Sequence, residues 1–329
     1  MNNDLLKQYG LSESIIQESF CDLSLEVGRV ITQNKGRYHL QTKTNIIEAE
    51  VSGKFMFLAK HDKEYPQIGD WVHFQRASET FGVIQKVFTR TSELSRKIAG
   101  RTFETQIIAS NIDIVFICMG LDLDYNIRRL ERYLSIVWNS RARPVVVLTK
   151  SDLSSQVDLQ RYEVEKLAIG SDVVVCSNIN GDGYKEIVPY LEKAKTIACI
   201  GSSGVGKSTL TNFIMGIQVM KTGNVRNDSR GRHTTTSREL FLSPYGCIVI
   251  DTPGMREIQI VDADLEMAFS DIEEIGLFCK YRDCTHTVEP GCKVLEAIEL
   301  GELEYSRLKN YQKMLRELKR QETINKVKK

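Results

Sequence analysis

No stretch of the 329 residues comes near the roughly 20 consecutive apolar residues of a membrane-crossing helix, so no membrane association is expected. The start, Met1-Asn2-Asn3-Asp4, lacks the basic segment and apolar stretch of an export signal, and the expected location is the cytoplasm. Charge imbalance is missing too: a formal net charge of +1 neither demands nor excludes a polyanionic partner. The eight cysteines do not read as a disulfide framework, because Cys118, Cys176, Cys199 and Cys247 each sit in an apolar, strand-like run. That is the usage of small core residues in a reducing compartment. The remaining composition is that of a globular chain long enough for two or three domains.

Residues 1 to about 24 carry a weak apolar face and read as a helical lead-in. From Glu26 to about Lys97 short alternating runs follow one another: 27–31, 38–40, 46–51, Phe55-Met56-Phe57-Leu58, 71–74 and 83–88. Gly36, Gly53, Gly69-Asp70 and Gly82 punctuate them. Roughly five strands in about 70 residues predict a small β-barrel of the OB type, a frequent binder of single-stranded nucleic acid. Arg37, Tyr38, Lys54, Phe55 and Arg90 interleave basic and aromatic character for such a role, or else serve as core and solvated face. From Asn111 the pattern alternates strand and helix, which implies a mostly parallel sheet whose ligands bind off the carboxyl ends of its strands.

The chain is organised around Gly201-Ser202-Ser203-Gly204-Val205-Gly206-Lys207-Ser208, the phosphate-loop pattern G-x-x-x-x-G-K-[ST]. An apolar run (196–200) precedes it and a helix-spaced segment from Thr209 follows, the strand–loop–helix context that the motif requires. The glycines let backbone N–H groups turn towards phosphate oxygens. Lys207 is expected to reach the β- and γ-phosphates and the Ser208 hydroxyl to ligate Mg²⁺.

Three further motifs fall at strand ends. Thr149-Lys150-Ser151-Asp152 is similar to the guanine-reading N-K-x-D, in which the carboxylate accepts from guanine N1–H and the 2-amino group. A buried Asp152 would reject adenine by being left unpaired. Thr149 replaces the usual Asn and offers one donor instead of two, so weaker nucleotide affinity is expected. Ser177, in Cys176-Ser177-Asn178, stands where a base-contacting backbone is found in such proteins. Asp251-Thr252-Pro253-Gly254 is D-x-x-G: Asp251 would hold Mg²⁺ through water and the Gly254 N–H would meet the γ-phosphate. In Gly231-Arg232-His233-Thr234-Thr235-Thr236, Thr235 or Thr236 is the candidate to complete the Mg²⁺ shell. Met255 occupies the place where a water-orienting Gln is common; His233 is a candidate catalytic base, or else a structural or partner-binding histidine. The base-reading motifs precede the phosphate loop and D-x-x-G comes last. That order is a circular permutation, the same sheet opened elsewhere.

Cys279-x₄-Cys284-x-His286-x₅-Cys292 supplies three thiolates and one imidazole within fourteen residues, the donor set of a closed, structural zinc site. Val294 to Gln321 reads as helix. From Arg307 onward nine Lys or Arg face two Glu, a basic tail that fits nucleic acid or a solvated helix end equally well.

Together these phrases resemble the circularly permuted GTPases that act on the small ribosomal subunit, the RsgA or YjeQ/YloQ family. The likeness rests on Gly53-Lys54-Phe55, Ile68-Gly69-Asp70-Trp71-Val72, 201–208, 231–236, 251–257 and the Cys₃His spacing, and covers nearly the whole chain. It implies an α/β P-loop GTPase, circularly permuted, with an N-terminal OB-fold β-barrel (1–100), the GTPase domain (101–265) and a C-terminal zinc-binding helical domain (266–329). It implies GTP/GDP with Mg²⁺, one structural zinc, and a monomer that binds the small ribosomal subunit and its rRNA, hydrolyses GTP when stimulated, and leaves. The alternatives from other classes are a nucleotide-independent RNA-binding scaffold and an ATP-using kinase.

Overall fold

The computed structural model describes residues 4–34, 36–97, 105–177, 181–202, 204–216, 238–251, 270–281, 284–303, 305, 308, 309, 311 and 312. The chain forms two compact units, Met1–Arg96 with Thr105–Ile258, and Lys97–Glu104 with Gln259–Lys329.

The first unit begins with helices α1 (Asp4–Gln8) and α2 (Glu13–Ser19), the latter capped by the Ser12 side chain. Their apolar residues Leu6 and Ile15 pack on Trp71 and Phe88 of the following barrel. Five strands build that barrel: β1 (Glu26–Asn34), β2 (Arg37–Gln41), β3 (Ile46–Val51), β4 (Trp71–Arg76) and β5 (Phe81–Val87). They pair β1–β2–β3–β5–β4–β1, so the sheet closes on itself, and β3–β5 is its parallel pair. Alternate residues point inward, and Val30, Tyr38, Leu40, Ile47, Val72, Phe74 and Ile84 fill the interior. Closure leaves no strand edge open, which is how five short strands become stable.

One reading of this region is corrected, and one open choice is decided. Residues 55–58 are not a strand: helix α3 spans Gly53–Leu58, with the Ser52 hydroxyl accepting from Phe55 N at 3.1 Å. The apolar run suits either period, and the serine cap decides for the helix. Tyr38 is core, 2% exposed, and Arg90 is committed to an internal ion pair, so neither is available to nucleic acid.

A two-stranded sheet, β6 (Glu93–Lys97) with β7 (Thr105–Ser110), leads to the α/β part. There lie β8 (Ile114–Gly120), β9 (Arg143–Thr149), β10 (Asp172–Val175), β11 (Thr196–Gly201), β12 (Arg238–Leu242) and β13 (Ile248–Asp251), in the order β10-β9-β8-β11-β13-β12. All pairings are parallel except β12–β13. Strand β11, buried throughout, is central. Helices α4 (Ile127–Asn139), α5 (Val157–Leu167) and α7 (Lys207–Ile214) pack against the sheet; a short α6 (Tyr184–Ile187) precedes β11. The core joins Phe116, Val145, Val147, Ile197, Leu210, Ile214 and Val249. Cys118, Cys176 and Cys247 are buried in it, and burial pushes their thiols up, Cys176 to about 12.

Strand β12 does not end the sheet. It pairs antiparallel with barrel strand β1, Thr32 opposite Glu239 and Gln33 opposite Arg238, so barrel and α/β sheet form one run of 11 strands. Arg29 locks this junction from within. Fully buried, it donates to Gly69 O at 3.2 Å, Asn111 O at 3.3 Å, Thr196 Oγ1 at 2.8 Å and Tyr9 O, and lies over the Trp71 ring. Burial pushes its pKa down to about 10, still protonated at neutral pH. A buried ion pair adds to it: the Arg90 guanidinium donates to both Asp70 oxygens at 2.8 and 2.7 Å, and Gln67 N and the Ser110 hydroxyl donate to the same carboxylate.

In the second unit the helices α8 (Ser270–Gly276) and α9 (Lys293–Glu299) flank the cysteine cluster over a small core of Ile272, Val294, Ala297, Leu303, Leu308 and Tyr311. The single helix expected from Val294 is interrupted: α9 stops at Glu299, and Gly301 turns the chain at φ +77°. The basic residues after Gln312 lie outside the described residues.

Candidate functional site

The phosphate-loop residues form a tight turn between β11 and α7, built on the three glycines. Gly201 (φ +142°), Gly204 (φ +76°) and Gly206 (φ +102°) all take conformations that favour glycine, and a Cβ at Gly201 would strike the Cys118 carbonyl oxygen. Val205 anchors the loop in the core at 0% exposure. Lys207 opens α7 and bends back, its ammonium donating to Gly201 O at 2.7 Å and to Ser202 O. Ser208 is exposed on the first turn and Thr209 is half-buried. Ser203 lies outside the described residues.

The base-reading motif meets this loop directly. Thr149 ends β9 one strand beyond β8 and is 1% exposed; its hydroxyl donates to Val205 O at 2.6 Å. Two stretches that are more than fifty residues apart, in reversed order, are thus joined by a hydrogen bond. Lys150 adopts a left-handed conformation (φ 58°), and its ammonium pairs with Asp122 at 2.7 Å. That hydrogen bond holds the Asp122 carboxyl below the usual carboxylate range. Ser151 N donates to Cys176 O at 3.2 Å, and the Ser177 hydroxyl donates to Asp152 Oδ1 at 2.5 Å, so the two base-reading turns are tied together.

Asp152 is exposed, whereas strong discrimination against adenine needs a buried carboxylate. Selectivity of that size requires the base itself to cover the group. On the far side, Asp251 ends β13 opposite Glu239 of β12. His233, Thr235, Thr236, Gly254 and Met255 lie outside the described residues.

In the second unit the ligand atoms of Cys279, Cys284, His286 and Cys292 all lie within 4.8 Å of one another. Cys279 Sγ is 3.9 Å from Cys292 Sγ and 3.7 Å from His286 Nδ1, and that nitrogen is 3.3 Å from Cys292 Sγ. Donors at tetrahedral angles, with Zn–S about 2.3 Å and Zn–N about 2.0 Å, stand roughly 3.5–3.8 Å apart, so Cys279, His286 and Cys292 stand near the spacing of a zinc cage, with Cys284 close enough to complete the donor set. Gln312 Nε2 supports it by donating to His286 O at 2.8 Å.

Residues 87–261 match the family model described as RsgA GTPase. The small ribosomal subunit biogenesis GTPase RsgA 2 of Lactiplantibacillus plantarum is 42% identical over 97% of this chain and 90% of its own length. Among solved structures, YjeQ from Thermotoga maritima is 29% identical with a TM-score of 0.54, covering 89% of this chain and 98% of that one. YloQ, described as a circularly permuted GTPase, is 27% identical with a TM-score of 0.50, covering 90% of this chain and 96% of its own.

This chain belongs to the RsgA GTPase family. Membership accounts for the permuted strand order and the closed barrel, and a GTPase of this family implies GTP or GDP with Mg²⁺. Motif reading of this RsgA chain missed Asp122 and Asp124, which touch Lys150 and Ser202 respectively. The available signal was their place: two carboxylates just beyond the carboxyl end of β8, where ligands of such sheets bind. The burial of Arg29 and the pairing of Asp70 with Arg90 gave no signal, because nothing local distinguishes a buried charge from a surface one. Among the described residues, no helix is long and apolar enough to cross a membrane.

Proposed function

We propose that this chain hydrolyses GTP to GDP and phosphate and acts as a late assembly factor of the small ribosomal subunit. It binds the immature subunit and its rRNA through the barrel and the Cys₃His domain, is stimulated by it, and dissociates after hydrolysis. The name of the Lactiplantibacillus plantarum relative supports the partner. The nucleotide part rests on the Thr149–Val205 hydrogen bond, which joins the base-reading strand to the phosphate loop.

In this reading Gly201 to Ser208 and Thr209 cradle the phosphates, and Lys207 grips the β- and γ-phosphates. Asp152, held by Ser177, reads guanine, with Thr149, Lys150 and Ser151 shaping its turn. Ser208, Asp251 through water, and Thr235 or Thr236 hold Mg²⁺, which when bound neutralises charge on the β- and γ-phosphate oxygens. Gly254 N–H meets the γ-phosphate. His233 takes the proton of the attacking water, since Met255 offers no group to orient it, and unstimulated turnover is slow. Cys279, Cys284, His286 and Cys292 hold one structural zinc. The protein acts as a cytoplasmic monomer. The functional modules are 1–100, 101–265 and 266–329, although the first two share one sheet.

Phosphate release measured with and without small ribosomal subunits tests this: stimulation is expected, and its absence refutes the timer role. Loss of nucleotide binding in Lys207→Ala separates the enzyme from a scaffold that needs no nucleotide. Displacement of bound GDP by GTP but not ATP separates it from a kinase.

A further inference from the structure

Strand β8 ends between the two halves of the pocket. Its Cys118 lies opposite Gly201 of the phosphate loop, and its Gly120 lies opposite Thr149 of the base-reading strand. The turn that leaves it, residues 121–126, therefore emerges beside both.

That turn carries Asp122 and Asp124. Both Asp124 carboxylate oxygens are 2.7 Å from the Ser202 hydroxyl, and the Arg129 guanidinium stands 2.8 Å from Oδ1. Arg129 also donates to the Asp124 carbonyl, so one helix side chain clamps the residue at two points. Ser202 in turn presents its own carbonyl to Lys207. A continuous chain of contacts thus runs from Arg129 through Asp124 and Ser202 to the phosphate-loop lysine. Asp122 faces the other way, to Lys150 at 2.7 Å, while its Oδ1 accepts from Asp124 N at 3.1 Å and stiffens the turn. Gly120 makes room for this arrangement, because a Cβ there would come within 2.5 Å of Asp122 Oδ1. The four charged side chains are between 19% and 25% exposed, sheltered enough for these contacts to hold.

We propose that the 121–126 turn positions the nucleotide site from both ends, Asp124 setting the phosphate lysine through Ser202 and Asp122 setting the base end through Lys150. Both are positioning residues, neither touching nucleotide. The assignment rests on the GTP-binding function proposed above. It separates two levers: the Asp124 lever acts only on ligands with the phosphates that Lys207 grips, and the Asp122 lever acts on any guanine nucleotide.

The test uses the full chain with Asp124→Asn, Ser202→Ala, Asp122→Asn and the double variants, titrated with GTP, GDP and GMP in competition with a fluorescent GDP. Asp124→Asn and Ser202→Ala are each expected to weaken GTP and GDP by about tenfold or more, the scale of one charge-assisted hydrogen bond. For Asp124→Asn, which lies outside the loop, GMP affinity should stay within about twofold. The Asp124→Asn/Ser202→Ala double variant should be no weaker than the worse single one, because both cut the same link. Asp122→Asn should weaken all three nucleotides by one common factor, and its effect should multiply with that of Ser202→Ala. Multiplying losses in the first pair, or an Asp124→Asn loss as large for GMP as for GDP, would overturn the assignment. Unshifted variants with intact wild-type binding would also overturn it, whereas a wild-type chain that fails to bind GTP refutes the proposed function itself. Ser202→Ala removes one hydroxyl and serves as the readout if the charge variants fold poorly.

Discussion

Replacing Thr149 by Val keeps the shape of the side chain and deletes one hydroxyl. In the fold Thr149 is 1% exposed, and its hydroxyl donates to Val205 O at 2.6 Å, with Met119 O at 3.4 Å as a distant second acceptor. Only the first contact has the length of a good bond, so one bond is lost and one acceptor is left without it in a site too closed for water. Such a loss costs about 1–3 kcal/mol. At about 1.4 kcal/mol per decade, this is a drop of five- to a hundred-fold in whatever equilibrium the bond supports. Val205 lies in the middle of the phosphate loop, so nucleotide binding carries the loss. Thr149→Val is expected to raise Kd for GTP and GDP alike by about tenfold, leaving kcat at saturating GTP unchanged, since the hydroxyl lies on the base side of the loop. Thr149→Asn, which restores a second donor, should bind GDP more tightly than the natural chain. Titration with a fluorescent guanine nucleotide measures both. A folded Thr149→Val protein whose Kd stays within about twofold of wild type would show that the bond between loop and base strand does not hold the pocket together.

Arg90→Ala strands the Asp70 carboxylate, whose side chain is 0% exposed, and should cost about 3–5 kcal/mol in denaturant unfolding; a loss below about 1 kcal/mol would mean the pair is not buried in solution. Stripping metal with a chelator, or Cys292→Ser, should melt the Ser270–Gly276 and Lys293–Glu299 helices, seen as lost far-UV ellipticity, while GDP affinity holds; an unchanged spectrum would argue against zinc. His73 is buried, its Nε2 has no hydrogen-bond partner among the described residues, and burial with nearby Lys86 lowers its pKa. The unfolded chain therefore binds a proton before the folded one does. Stability should be full above the ordinary histidine value of about 6.5 and decline as pH falls from there towards the depressed folded value. A melting curve flat across that window, or a His73→Phe variant that keeps the decline, would contradict this.

The signals legible along the chain were those whose physics is local. Glycines at 201, 204 and 206 are needed by the backbone of one loop, and the four zinc-spaced donors lie within fourteen residues, so neighbours in sequence are neighbours in space. Strand runs buried on both sides, such as 114–120 and 144–149, announce a parallel sheet by composition alone. At 55–58 periodicity is ambiguous between strand and helix, and the Ser52 cap decides for the helix.

Other features exist only because distant segments meet. The sheet joins barrel to nucleotide fold through Thr32 and Glu239, and Arg29 finds acceptors from Tyr9 to Thr196. Whether a charge such as Arg90 or Asp152 is buried follows from what packs over it, and that packing is a property of the assembled chain. Thr149 shows both sides: its place in a motif was readable, but its role depended on Val205 coming within hydrogen-bond reach. Residue type sets which bonds a group can make; only the folded path brings a partner close enough to make them.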